Sequence, residues 1–363
     1  MTDTMLEVAF DYPQLQSIGL NQTVVNQLYT LDEQPALPAA LLRVTEIQRD
    51  CLTLHDGHEE HNARVLPRLA EALHARATAL AVGDWVIAET NALGERWVCQ
   101  QLPPATHLAR RANDGRRQPL ASNVDTALLV MGLDMDFNPR RLERYVAFTR
   151  AAGVTAVVVL TKADISPDAQ DKQTLLQTRL PADTPILAIN GLDAATRQML
   201  APWLGAGQTL VVLGSSGAGK STLTNTLSEA EMQATGGVRK GDGRGRHTTT
   251  ARSLHRLPGS ACIIDTPGLR TWRPDTDEAG INAGFDDIEQ LAAHCHFRDC
   301  QHQDEPGCAV RDAVSPDRLH NYHKLIREAR RGQQTALERK AETARWKAIG
   351  KAGAARSREK RGG

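Results

Sequence analysis

The rhythm of apolar and polar positions divides the chain into several stretches. From Ala39 to about Leu102, short apolar runs alternate with polar turns: Leu41–Thr45, Cys51–His55, Ala63–Leu66, Trp85–Glu89 and Trp97–Leu102. Asp56-Gly57 and Gly83-Asp84 separate some of them, and Gly beside Asp is turn chemistry. Five short strands in so few residues predict a small closed sheet of the OB type. From Asn123 the rhythm changes. Val124–Met131 reads as a buried strand and Pro139–Ala151 has helical spacing. Ala156–Leu160, Ile186–Ile189, Thr209–Leu213 and Cys262–Ile264 read as further strands, and Thr222–Leu227 as a helix. Strands alternating with helices predict a mainly parallel α/β sheet. The expected organisation is multidomain α/β. It comprises a polar N-terminal extension (1–38) without clear periodicity, a barrel (39–105), an α/β domain (106–274), a cysteine-rich module (275–330) and a basic tail (331–363).

Composition narrows the class. The 363 residues are 41% hydrophobic but only 4% aromatic, so the cores must be built from Leu, Val, Ile and Ala. No apolar run reaches the roughly 18 residues that a membrane span requires. The N-terminus lacks a basic segment followed by an apolar stretch. The expectation is a soluble cytoplasmic protein with no membrane partner. Lys plus Arg and Asp plus Glu balance at 43 each, which hides an asymmetry. From Arg318 to Gly363 there are 14 Lys/Arg against 4 Asp/Glu. Such a tail is either a contact for phosphate backbones or a solvated helical or disordered end. Of six cysteines, Cys51, Cys99 and Cys262 are scattered and read as isolated thiols, whereas Cys295, Cys300 and Cys308 cluster.

The strand Thr209–Leu213 runs into Gly214-Ser215-Ser216-Gly217-Ala218-Gly219-Lys220-Ser221, a G-x-x-x-x-G-K-[ST] phosphate loop. Its glycines let backbone N–H groups turn inward around phosphate oxygens. Lys220 is placed to reach the β- and γ-phosphates, and the Ser221 hydroxyl to ligate Mg²⁺. The helix that starts by Thr222 aims its positive N-terminus at the same anion. Asp265-Thr266-Pro267-Gly268 closes the strand Cys262–Ile264, so Asp265 can hold Mg²⁺ through water and the Gly268 N–H can meet the γ-phosphate.

Thr161-Lys162-Ala163-Asp164 follows the strand Ala156–Leu160 and resembles the N/T-K-x-D guanine-recognition segment of GTPases. An ionised Asp164 accepts from both N–H groups on the guanine edge, a pair that adenine lacks. The Lys162 stem would lie over the base. A Thr161 hydroxyl reaches less far than the usual Asn amide, which predicts a weaker contact there. Ile189-Asn190-Gly191 falls where a second guanine-side loop belongs but matches its usual Ser-Ala pattern poorly. The guanine segment precedes the phosphate loop, whereas in ordinary GTPases it follows the D-x-x-G segment. The same sheet results if the chain is circularly permuted.

Between phosphate loop and Asp265 lies a Gly- and charge-rich stretch, Gly236–Thr250, where a switch segment belongs. Of Thr248, Thr249 and Thr250, Thr249 is the favoured Mg²⁺ ligand. Leu269 stands where Ras-like enzymes carry a water-orienting Gln, and leucine cannot orient water. His247 is the substitute as a catalytic residue, or else a contact to phosphate or RNA. Lys220, Gly268 and His247 thus form the expected catalytic set. Further on, Cys295-x₄-Cys300-x-His302-x₅-Cys308 offers a closed Cys₃His shell, which suits one structural Zn²⁺. His294 and His296 compete as ligands but flank Cys295 too closely for easy joint ligation.

The barrel, the order TKAD–GSSGAGKS–GRGRHTTT–DTPG and the cysteine cluster together resemble the bacterial ribosome small-subunit-dependent GTPase (RsgA) family, from about Leu41 to about Arg330. The resemblance implies an OB-type barrel, a circularly permuted P-loop GTPase domain and a zinc-binding helical module. It implies slow GTP hydrolysis stimulated by the small (30S) ribosomal subunit, rRNA binding, late subunit maturation, Mg²⁺ with GTP, and a cytoplasmic monomer. Two other readings compete. One is a non-catalytic RNA-binding module that uses GTP structurally, separable by turnover with and without subunits. The other is an ATP-dependent kinase or ATPase, which Asp164 opposes.

Overall fold

The computed structural model describes residues 8–30, 35–48, 51–111, 117–229, 252–266 and 276–333. His247, Thr249, Gly268, Leu269 and the tail beyond residue 333 lie outside the described residues.

The described chain begins with β1 (Val8–Ala9), α1 (Tyr12–Gln16) and α2 (Gln22–Leu28). The barrel strands follow: β2 (Ala39–Ile47), β3 (Leu52–His55), β4 (Glu60–Val65), β5 (Trp85–Thr90) and β6 (Arg96–Gln101), with α3 (Pro67–Ala75) between β4 and β5. β2 pairs with both β3 and β5, β3 with β4, β4 with β6 and β6 with β5. This ring closes the sheet on itself, so the five strands expected from the alternation form a closed barrel. Leu42, Val44, Leu54, Val86 and Val98 fill its interior.

Residues 8–30 depart from the expected extension. β1 adds in parallel to β2, and Leu15, Ile18, Leu20, Val24, Val25 and Leu28 are buried. Asp11 and Asn21 cap the two helices by accepting from Gln14 and Val24 N–H. Helices of five and seven residues are too short to display a 3.6-residue period, so their apolar face was hidden in a polar composition.

A hairpin of β7 (His107–Arg111) and β8 (Arg117–Ser122) leads into the α/β domain. There β9 (Thr126–Gly132), α4 (Pro139–Ala151), β10 (Thr155–Thr161), α5 (Ala169–Gln177), β11 (Ile186–Ala188), α6 (Ala195–Leu200), β12 (Thr209–Gly214), α7 (Lys220–Ser228), β13 (Ser253–Arg256) and β14 (Cys262–Asp265) follow. The sheet order is β11-β10-β9-β12-β14-β13. The first five are parallel and β13 runs antiparallel to β14. β9 and β12 are buried along their whole length, as a strand covered on both faces must be. β13 also meets β2 at Ser253 and Glu46, which joins barrel and α/β sheet into one twelve-stranded sheet. The C-terminal part comprises α8 (Glu278–Asn282), α9 (Asp286–Ala292), α10 (Ala309–Ala313) and α11 (Pro316–Gln333). Among the described residues no helix is long and apolar enough to cross a membrane.

One buried cation ties the parts together. Arg43 on β2 has no exposed surface. Its guanidinium donates to the Gly83 carbonyl at 3.3 Å in the barrel, to the Asn123 carbonyl at 3.0 Å ahead of β9 and to Thr209 Oγ1 at 3.0 Å on β12. It donates also to the Ile18 carbonyl, and stacks over Trp85 with 5.3 Å to the ring centroid. Burial pushes the Arg43 pKa down, while Cys262, Asp125 and Asp84 support the charge. Replacing Arg43 by Ala removes a donor from four acceptors, of which the Gly83 carbonyl keeps another, Asn123 Nδ2 at 3.0 Å. The expected cost is about 3 kcal/mol or more, read as a lower urea midpoint. A loss below about 1 kcal/mol would show that these contacts do not hold the domains together.

Candidate nucleotide site and metal centre

Gly132, Thr161, Ala188, Gly214 and Asp265 are the last residues of five parallel strands, so the loops that follow lie at one edge of the sheet. That edge is where open α/β sheets take ligands. At its centre the phosphate loop leaves β12. Gly214 is required there, because a Cβ would stand 2.3 Å from the Val130 carbonyl on β9. Gly219 has φ +93°, and a Cβ would lie 3.2 Å from the Thr161 hydroxyl. Lys220 is buried and donates to the Ser215 carbonyl at 2.8 Å. Burial lowers its pKa, and the nearby carboxylates of Asp265 and Asp136 oppose that shift. Ser221 and Thr222 form the first turn of α7, beside Lys220. Ser216 and Gly217 occupy the turn between strand and helix. Asp265 is buried at the end of β14, in register with Val212 of β12. The Thr266 hydroxyl donates to the Val212 carbonyl at 2.7 Å, which holds the start of the D-x-x-G segment beside the phosphate loop.

The guanine segment is held against that loop. The Thr161 hydroxyl donates to the Ala218 carbonyl at 2.7 Å. The short reach of threonine is sufficient here, because Thr161 is buried directly behind the loop. Lys162 takes a left-handed conformation, φ +65°, and its Nζ donates to the Gly217 carbonyl at 3.0 Å and to Asp134 at 2.6 Å. The Ala163 N–H donates to the Ile189 carbonyl at 3.1 Å, and Thr226 on α7 donates to the Gly191 carbonyl at 2.7 Å. These bonds bring the loop 189–191 to the same corner. Asp164 sits on a single 3₁₀ turn and is exposed. Sequence reasoning missed Asp134 and Asp136. Two aspartates directly after a buried parallel strand were the available signal.

The second constellation lies in the C-terminal module. Ligand atoms of Cys295, Cys300, His302 and Cys308 all fall within 4.8 Å of one another. Cys295 Sγ lies 3.9 Å from Cys308 Sγ and 3.6 Å from His302 Nδ1, and Cys308 Sγ lies 3.5 Å from His302 Nδ1. A tetrahedral site with metal–sulfur bonds of about 2.3 Å and metal–nitrogen bonds of about 2.0 Å has S···S edges of about 3.8 Å and S···N edges of about 3.5 Å. The four groups can therefore hold one metal ion with no position left open. The module docks on α4 through a buried charge network. Glu143, with no exposed surface, accepts from Arg179 at 2.7 Å, Arg318 at 3.1 Å and Asn321 at 2.5 Å. Arg318 also pairs with Asp287, and Arg330 with Glu278, so part of the basic C-terminal stretch is already neutralised.

A family model described as RsgA GTPase matches residues 102–274. The small ribosomal subunit biogenesis GTPase RsgA of Xanthomonas oryzae pv. oryzae (strain MAFF 311018) is 43% identical over 361 residues, which cover 96% of this chain and 97% of the relative. The chain belongs to the RsgA GTPase family. The RsgA of Xanthomonas axonopodis pv. citri is 42% identical over the same shares of both chains. Two solved structures share the fold. YjeQ from Thermotoga maritima has a TM-score of 0.60 at 21% identity and matches 80% of this chain and 98% of its own. YloQ, described as a circularly permuted GTPase, has a TM-score of 0.54 at 18% identity and matches 82% of this chain and 97% of its own. As an RsgA GTPase the chain is a GTP-hydrolysing enzyme, and its strand order carries the permutation that the motif order implied.

The metal centre makes a direct prediction. Purified protein should carry one equivalent of metal per chain, measured by inductively coupled plasma mass spectrometry. Cys308→Ser should lose it and lower stability on the order of several kcal/mol, since a metal held by these four groups would organise the loop around residues 295–308. Full stability in a metal-free variant would remove the structural role.

Proposed function

We propose that this enzyme hydrolyses GTP slowly on its own, is stimulated by the small (30S) ribosomal subunit, and assists late maturation of that subunit while bound to its rRNA. The observation that carries the guanine assignment is the hydrogen-bonded seam between Thr161-Lys162 and Gly217-Ala218, which holds the segment carrying Asp164 against the phosphate loop. In this reading Thr161, Lys162, Ala163 and Asp164 hold the base, and Gly214 to Thr222 hold the phosphates. Ser221 and Asp265, together with Thr249, hold Mg²⁺, which neutralises charge on the phosphates. The Xanthomonas relatives are named for small ribosomal subunit biogenesis, which supports the ribosomal role. Zn²⁺ is the metal that the Cys₃His donor set fits best, since thiolate and imidazole in a closed tetrahedral set favour it. The protein acts as a cytoplasmic monomer.

Leu269 gives the attacking water no partner, so His247 supplies it when the small subunit is bound. Two measurements test the proposal. GTP turnover is compared in buffer, with small subunits and with large subunits. Stimulation by small subunits alone is expected, and equal rates in all three would sink the proposal. His247→Ala should lose the stimulated component by about 10²-fold while still binding GTP. Undiminished stimulation would reassign His247 to phosphate or RNA contact.

A further inference from the structure

The connection from β9 to α4, residues 133–138, lies at the ligand edge of the sheet. β9 stands between β10, which delivers the guanine segment, and β12, which delivers the phosphate loop. The loop leaving β9 is therefore flanked by both. It presents Asp134 and Asp136 on either side of a fully exposed Met135. Asp134 accepts from Lys162 Nζ at 2.6 Å. Asp136 receives the Ser215 hydroxyl, 2.7 and 2.6 Å from its two oxygens, and pairs with Arg141 of α4 at 2.6 Å.

The loop is tied down at its own corners. The Asp136 N–H donates to Asp134 Oδ1 at 3.1 Å. The Leu133 carbonyl accepts from Ser166 Oγ at 3.0 Å and from Lys172 Nζ at 2.7 Å. Lys172 also lies over the Phe137 ring, 5.3 Å from its centroid. Partial burial pushes the Asp134 carboxyl up, but bonds from Lys162 and from the Asp136 N–H outweigh it and leave it below the usual carboxylate range.

The geometry points to residues 133–138 as a third nucleotide-positioning segment, in which Asp134 sets Lys162 for the base and Asp136 sets the phosphate loop through Ser215. This rests on the reading of residues 161–164 and 214–221 as the nucleotide site. A carboxylate has no proton to donate to a phosphate and repels it, so neither aspartate serves as a direct phosphate ligand. Each acts through a neighbour and is a positioning residue. The Lys162 ammonium is drawn down between Asp134 and the Gly217 carbonyl, which lays its stem across the loop. Ser215 precedes the phosphate-cradling turn, and its hydroxyl anchors that turn to a helix which the C-terminal module clamps through Glu143. The nucleotide then meets two halves already held at fixed spacing, and the ordering cost falls before binding instead of during it.

The test uses the full chain with Asp134→Ala, Asp136→Ala, Ser215→Ala and the Asp136→Ala/Ser215→Ala double variant. The readouts are affinity for fluorescently labelled GDP and the thermal midpoint without nucleotide. Each aspartate variant should bind GDP about tenfold more weakly, with a nucleotide-free midpoint within about 2 °C of the unsubstituted protein. The double variant should be no weaker than its weaker single, because one interaction is removed twice. Unchanged GDP affinity, additive losses in the double variant, or a midpoint that falls in step with affinity would each overturn the inference. Asp164→Ala marks the underlying site. If it retains GDP affinity, the site reading itself fails. If it loses affinity while both aspartate variants keep it, the positioning segment alone fails.

Discussion

The arrangement of this molecule depends on a cation with nowhere to go. Arg43 sits on a barrel strand, yet three of its acceptors lie outside the barrel: Ile18, Asn123 and Thr209. A guanidinium cannot shed its proton and is costly to bury, so it holds whatever satisfies it. Barrel, N-terminal helices and the central strand of the GTPase sheet meet because each contributes an oxygen to that side chain. Ser253 and Glu46 add a backbone bridge between barrel and sheet, but a single register pair is a weak joint by comparison.

A second buried charge does the same work for the C-terminal module. Glu143 on α4 pairs with Arg318 from α11 and with Arg179, and accepts a hydrogen bond from the Asn321 amide of α11. Arg140 and Arg144 add pairs to Asp317 and Glu328. α4 is consequently a bar with the C-terminal module fixed along it and Arg141 at its start. Asp136 extends that bar to the phosphate loop.

The parts most legible in the sequence were those in which chemistry demands fixed types at fixed spacing. The phosphate loop, the TKAD segment and the cysteine cluster all lie where their strands and turns required. Pro139–Ala151 forms a helix with the bounds that its spacing predicts. Barrel strands were placed to within a few residues, because half-buried strands alternate visibly. Other features were hidden by distance or brevity. Arg43 looks like an ordinary polar position, since its partner Thr209 is 166 residues away. Asp134 and Asp136 meet partners 28 and 79 residues further on, so their place after a buried strand marks them as candidates without naming what they bind. β13 carries four residues and was invisible as a strand until its neighbours β14 and β2 were known.

The permuted order has a consequence for how the chain is made. Strands β9, β10 and β11 come from consecutive stretches and lie side by side, so this half of the sheet can assemble as soon as residue 188 has emerged. β12 must then add on the far side of β9, and β14 beyond it, before the phosphate loop has walls. A GTPase with the usual order makes its phosphate grip first. Here the nascent chain makes the phosphate grip after those strands, and Arg43 gains its last acceptor, Thr209, only 166 residues after it is made. The phosphate loop is thus made on a chain whose five barrel strands already precede it.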